Sequence, residues 1–140
     1  MEPKWLEWAQ AEIGVHETPG PEANPRIVFY DSFTTLKATS DEVPWCSAFA
    51  CAAVESAYIH SPRSARARDW LSWGTRLNVP VLGCVVVMGR GSDPTQGHVG
   101  FYLGHSAGLV KVLGGNQSDQ VKISNYPQEN VLGYRWPKEA

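Results

Sequence analysis

Val43-Pro44-Trp45-Cys46-Ser47-Ala48-Phe49-Ala50 runs from a proline-ended loop into an apolar helix and places a cysteine in its first turn. Small and apolar residues continue through Ala52, Ala53 and Ala57, which predicts a central helix ending near Tyr58. The first N–H groups of such a helix have no carbonyl partner inside it, so its start carries about half a positive charge. A thiolate is favoured there over a thiol, and a nearby imidazolium can bring a cysteine pKa from about 8.5 into the range of about 3.5 to 7.5. Two readings of Cys46 stand side by side: a nucleophile at neutral pH, or a small apolar residue at the buried start of a core helix.

Upstream, Trp5, Leu6, Trp8, Ala9 and Ile13 recur at helical spacing and Gly14 is a stop, so the chain opens with a short helix. His16 to Asn24 holds Pro19, Gly20 and Pro21 and reads as a loop. Asn24-Pro25 then reads as an N-cap followed by proline at the first helical position, with Ile27, Val28 and Tyr30 facing inward. Downstream, Ala65 to Trp73 predicts another short helix closed by Gly74, with Ser64 as its cap and Arg63, Arg66 and Arg68 on a solvated face. A polyanionic substrate is the other reading of those arginines.

The second half changes character. Val81 to Met88, Val99 to Leu103, Leu109 to Leu113, Val121 to Ser124 and Leu132 to Trp136 are short β-branched or alternating runs separated by turn residues. Helices first and a meander afterwards imply an α+β domain, its helices packed on one antiparallel sheet.

The 140 residues fall within the size of one domain, 1–140, with no internal repeat or linker. A composition of 43% hydrophobic and 19% charged residues excludes a disordered chain, and no apolar run is long enough to insert in a membrane. The net charge of -2 argues against nucleic acid or an anionic membrane as partner. Three cysteines without metal-type spacing fit neither a disulfide framework nor a zinc knuckle. Cys51 and Cys84 read as inert core residues. Met1-Glu2-Pro3-Lys4-Trp5 lacks the apolar stretch of a secretory signal, which implies synthesis in the cytoplasm without export by the general route.

Gly97-His98-Val99-Gly100-Phe101-Tyr102 sets His98 at the start of a strand, with Val99, Phe101 and Leu103 on the face that fills the core. The following strand ends in Gly114-Gly115-Asn116-Gln117-Ser118, and a hairpin would bring Asn116 back beside His98. A thiol, an imidazole that takes its proton and a polar group that fixes the imidazole are the parts of a cysteine hydrolase. Taken singly, His98 is also a locally satisfied histidine and Gly-Gly-Asn a common turn.

Together these motifs, in order, resemble the CHAP-type and NlpC-type papain-like peptidoglycan hydrolases. The resemblance extends to Glu17 to Tyr30, Asp69-Trp70-Leu71-Ser72-Trp73-Gly74 and Leu132-Gly133-Tyr134-Arg135, and is nearest to small single-domain phage endolysins. It implies a papain-like fold, Cys46, His98 and Asn116 as catalytic residues, and bacterial peptidoglycan as the partner. The enzyme would act as a monomer on the periplasmic wall after release, as a peptidoglycan endopeptidase or an N-acetylmuramoyl-L-alanine amidase. No separate wall-binding domain is expected. Trp45 and Trp73 could stack on substrate, and Glu17 reads either as a cleft residue or as a surface glutamate. Asp41 and Glu42 alone make a weak calcium site, so no metal and no cofactor are expected.

Three alternatives compete. One is a toxin delivered by contact-dependent secretion and plugged by an immunity partner. Another is a non-catalytic wall-binding module whose tryptophans form the site. The third is a zinc amidase using His98, His105 and a cysteine, whose rings should not converge without a bulge.

Overall fold

Trp5, Leu6 and Ala9 bury the inward face of the first helix, α1 (Lys4–Ala11). The computed structural model describes residues 2–18, 24–34, 45–90, 92 and 96–138. The expected loop residues Pro19, Gly20 and Pro21, and Asp41, Glu42, Val43 and Pro44 before the cysteine, lie outside the described residues. Helix α1 stops earlier than its apolar pattern suggests. Residues 12–14 turn away, and Gly14 adopts φ +105° while its N–H donates to Val121 O at 2.9 Å. Ile13 is therefore 45% exposed rather than inward-facing.

In α2 (Pro25–Asp31) the expected cap is present: the Asn24 side chain accepts from the Arg26 N–H at 2.8 Å, with proline at the first helical position. Ile27 and Tyr30 are buried. Glu12 ties this helix to the end of α1, accepting from Arg26 Nε at 2.5 Å and the Tyr30 hydroxyl at 2.7 Å. Every residue from Cys46 to Val54 of α3 (Cys46–Ser56) is buried, as the sequence pattern requires of a helix enclosed on all sides.

Beyond α3 the expected α-helix is a tighter 3-10 turn, Ala67–Ser72. The neighbouring arginines do not share one solvated face. Arg63 has φ +53° and forks onto Glu55, with Nη2–Oε1 at 2.7 Å and Nε–Oε2 at 3.0 Å. Arg68 Nε donates to Gln96 O at 2.6 Å, whereas Arg66 is exposed. Ser64 Oγ accepts from the Arg66 N–H at 3.0 Å and donates to Asp69 at 2.5 Å, which makes it a turn residue rather than a helix cap.

Among the described residues six strands form one antiparallel sheet: β1 (Thr75–Leu77), β2 (Val85–Gly89), β3 (Gly97–Ser106), β4 (Leu109–Gln117), β5 (Gln120–Pro127) and β6 (Val131–Trp136). The order is β1-β6-β2-β3-β4-β5. Strands β2 to β5 are the expected meander, but β6 does not follow β5. It returns across the sheet and inserts between β1 and β2, the former a short strand that sequence periodicity does not mark. The architecture is α+β.

The two-residue strand period sorts the sheet into two faces. Val85, Val87, Val99, Phe101, Leu113 and Val121 meet the helices in the main core. Cys84, Val86, Met88, Tyr102, Val110 and Val112 form a second cluster on the opposite face. Helix α3 and β4 pack tightly at Gly115, where an added Cβ would lie 2.6 Å from Phe49 Cβ and 2.8 Å from the Trp45 ring. Phe49 Cβ is fixed to the helix backbone, so relief requires α3 to shift. Gly115→Ala should destabilise the protein by about 1–3 kcal/mol, read as a lower urea midpoint at unchanged slope.

Candidate active site

Trp45 and Cys46 mark the start of α3. The first bond within the helix runs from the Phe49 N–H to Trp45 O at 3.0 Å, so the N–H groups of Cys46, Ser47 and Ala48 have no intrahelical partner. No side chain among the described residues caps this end. Ser47 anchors the turn instead: its hydroxyl donates to Ser64 O at 2.6 Å and accepts from Trp70 Nε1 at 2.8 Å.

His98, near the start of β3, is buried and lies close enough to Cys46 for each to act on the other's charge. Its Nε2 lies 2.8 Å from Gln117 Oε1 and 3.3 Å from the Tyr126 hydroxyl. The amide of Gln117 settles which imidazole nitrogen carries the proton. Gln117 Nε2 donates to two backbone carbonyls, Lys122 O at 2.7 Å and Val112 O at 3.3 Å. Carbonyls only accept, so the amide oxygen must face His98 and the His98 Nε2–H must donate to it. In the neutral ring this leaves the Nδ1 lone pair free to take the Cys46 proton.

Burial alone would raise the Cys46 thiol. The charge of His98 and its hydrogen bond, the Val99 N–H and Arg90 outweigh burial and hold the thiol below its ordinary value. For His98, burial favours the neutral ring, but the charge of Cys46, its hydrogen bond and Gln117 raise the imidazole above its ordinary value against that penalty and against Arg90. Opposite shifts on these two neighbours favour a thiolate beside an imidazolium. The other two cysteines have no such partner. Burial pushes the Cys84 thiol up to about 11 and raises that of Cys51. Burial, then the charge of Cys46, pushes the Tyr126 hydroxyl up to about 12, so it stays neutral.

The residue on His98 is Gln117, not Asn116. Pairing of Phe101 with Leu113, carried straight on, would set Asn116 opposite His98. A bulge prevents this: β4 pairs with β5 at Gly114↔Lys122 but then at Gln117↔Gln120, which leaves one extra residue on β4. Asn116 takes that place with φ +56°, and Gln117 moves onto the imidazole. Asparagine is enriched in the left-handed region, so the Gly-Gly-Asn run signals a bulge that hands the adjacent amide to His98.

Two further expectations, Trp45 and Trp73, fail on position. Trp45 is fully buried and stacks on Tyr30, with ring centroids 5.9 Å apart, so it packs the core instead of meeting substrate. Trp73 lies elsewhere: its Nε1 donates to His60 O, and it lines a separate hollow with His60, Gly74 and Lys138. Glu17 sits by the β4–β5 turn, its N–H donating to Asp119 O at 2.9 Å. His105 pairs with the Tyr102 hydroxyl, and even with a bulge between Tyr102 and Gly104 it joins no cluster with His98. Among the described residues no three His, Cys, Asp or Glu side chains converge as metal ligands.

Cys46 opens into a groove of about 400 Å3 whose lining includes Ala65, Arg66, Ala67, Arg90 and Gln96. No protein-family model matches the chain, and no curated protein matches it. Two tests follow from the geometry. Gln117→Ala should slow any Cys46-dependent reaction by about 100-fold through loss of the ring orientation, with Asn116→Ala costing far less. Alkylation of Cys46 by iodoacetamide should fall off only as pH drops through the lowered thiol pKa. In His98→Ala that midpoint should move up to about 8.5 or above; a wild-type midpoint already there rules out the ion pair.

Proposed function

We propose that the protein is a papain-like cysteine hydrolase that cuts amide bonds in the peptide part of the bacterial cell wall, as a phage-type endolysin does. The observation that carries the reading is Cys46 at the start of α3, coupled in charge to a buried His98 that Gln117 holds in the base-competent tautomer. The arrangement supports thiol chemistry on a carbonyl. The choice of peptidoglycan rests on the resemblance of the Cys46, His98 and Gly114–Ser118 motifs to CHAP-type and NlpC-type hydrolases.

In the proposed reaction the Cys46 thiolate attacks the amide carbonyl carbon, forming a C–S bond and an oxyanion. The Cys46 N–H, unused within the helix, would stabilise that oxyanion, an interaction worth about 3 kcal/mol. Collapse breaks the C–N bond, and the amine leaves with the proton from the His98 imidazolium. Water then attacks the thioester and gives its proton to His98. The C–S bond breaks, releasing the acid and restoring the thiolate.

The tryptophans offer little as a non-catalytic wall-binding surface. Trp5, Trp45 and Trp70 are core residues, and Trp5 and Trp70 spend their N–H groups on Gly83 O and Ser47 Oγ. Cys46→Ala and His98→Ala should each lower release of peptide from purified walls by about 10^4-fold or more while leaving thermal melting nearly unchanged. Wild-type clearing by either variant would sink the proposal. Cys51→Ser, remote from this chemistry, should keep its activity.

A further inference from the structure

We infer that the groove beside Cys46 is a carboxylate subsite, in which Arg66 and Arg90 together grip a free carboxylate on the peptide next to the bond being cut. The inference rests on the reading of Cys46 as nucleophile and names the substrate class that reading leaves open: an acidic peptide.

The arginines around this site fall into two kinds. Arg63 is closed on Glu55, and Arg68 lies along the entry to β3, its Nε on Gln96 O and its stem where a Gly97 side chain would be. Their guanidinium groups are committed to holding the chain in place. Arg66 and Arg90 are different. Both line the groove that contains Cys46, both are exposed, and neither guanidinium has a carboxylate or hydrogen-bond partner among the described residues. They approach from separate segments, Arg66 from the turn before the 3-10 helix and Arg90 from the end of β2, and meet at one hollow.

Among the described residues no Asp or Glu lines that hollow, and Ala65 and Ala67 leave its wall without bulk. The Cys46–His98 pair is neutral as a unit, so among the described residues two positive charges beside it have no carboxylate partner. Two guanidinium groups converging on one cavity repel each other, and an anion between them removes that cost while accepting several N–H donors. A carboxylate is the anion a peptide substrate carries, from an acidic side chain or a terminus. Arg90 also acts on Cys46 itself, where it favours the thiolate.

Iodoacetate and iodoacetamide test the subsite without a peptide. Each forms a C–S bond to the Cys46 thiolate with loss of iodide, and they differ in one carboxylate against one amide. The ratio of their rates cancels any change in thiolate fraction. The native protein should favour iodoacetate, and Arg66→Gln with Arg90→Gln should lower the iodoacetate-to-iodoacetamide ratio about tenfold, as should high salt. An unchanged ratio in the double variant overturns the subsite while leaving the nucleophile standing. Failure of both reagents to label Cys46 overturns the subsite and the proposed function together. A shifted ratio in a protein that releases nothing from cell walls supports the subsite and rejects the wall as substrate.

Discussion

Burial of α3 on every side is the constraint from which the rest of the molecule follows. A helix with no solvent-facing stripe can carry few long side chains, and this one is built from Ser47, Ala48, Ala50, Cys51, Ala52 and Ala53 around a single large anchor, Phe49. Small residues let the helix lie close against β4, where Gly115 leaves no room even for a methyl group between strand and helix. Helices α1 and α2 then cover the outer side through Trp5, Leu6, Ala9, Ile27 and Tyr30. Packed on both sides, the start of α3 is held beside β3, where Cys46 meets His98.

The site also shows what would keep a buried thiolate–imidazolium pair in place. Removing two charges from water is costly, and their attraction compensates only when the remaining polar atoms are satisfied. His98 meets this need through an amide instead of a carboxylate. An acid on Nε2 would bind the imidazolium more strongly but would add a third charge to a buried place. Gln117 orients the ring at no cost in charge, and it is itself oriented by the carbonyls of Val112 and Lys122. The network therefore runs from the β4 and β5 backbones to the thiol without a free rotor.

The sequence made some of this legible because local chemistry determines it. Helical spacing and the Asn24-Pro25 cap located the helices, strand alternation sorted Val99 and Phe101 to the core face, and the positions of Cys46 and His98 followed from element boundaries. What was missed depends on tertiary geometry. A one-residue bulge exchanges neighbouring amides, so Asn116 and Gln117 could not be told apart from strand period alone. Trp45 looked available because it precedes the cysteine, yet its ring turns into the core beneath Tyr30. The three arginines read as one face because a continuous α-helix was assumed, and a positive φ at Arg63 with a 3-10 turn after Arg66 sends each to a different task. Nothing local in Thr75-Arg76-Leu77 announces a strand, since its pairing partner is β6.

That partner has a kinetic meaning. Strands β2 to β5 pair with their sequence neighbours and need only short loops to close. Strand β6 must instead find β1 and β2 on the far side of the sheet, matching Thr75 with Trp136 and Val85 with Arg135. Loop-closure entropy is thus concentrated in one insertion, which raises the contact order of an otherwise local sheet. The same step brings Arg135 onto the carbonyls of Trp73 and Gly74, at 2.6 Å and 3.2 Å, and so ties the segment after α3 to the sheet. Completion of the fold is a long-range event that links the two halves of the chain, although the pair that would do chemistry is assembled near the sheet's other side.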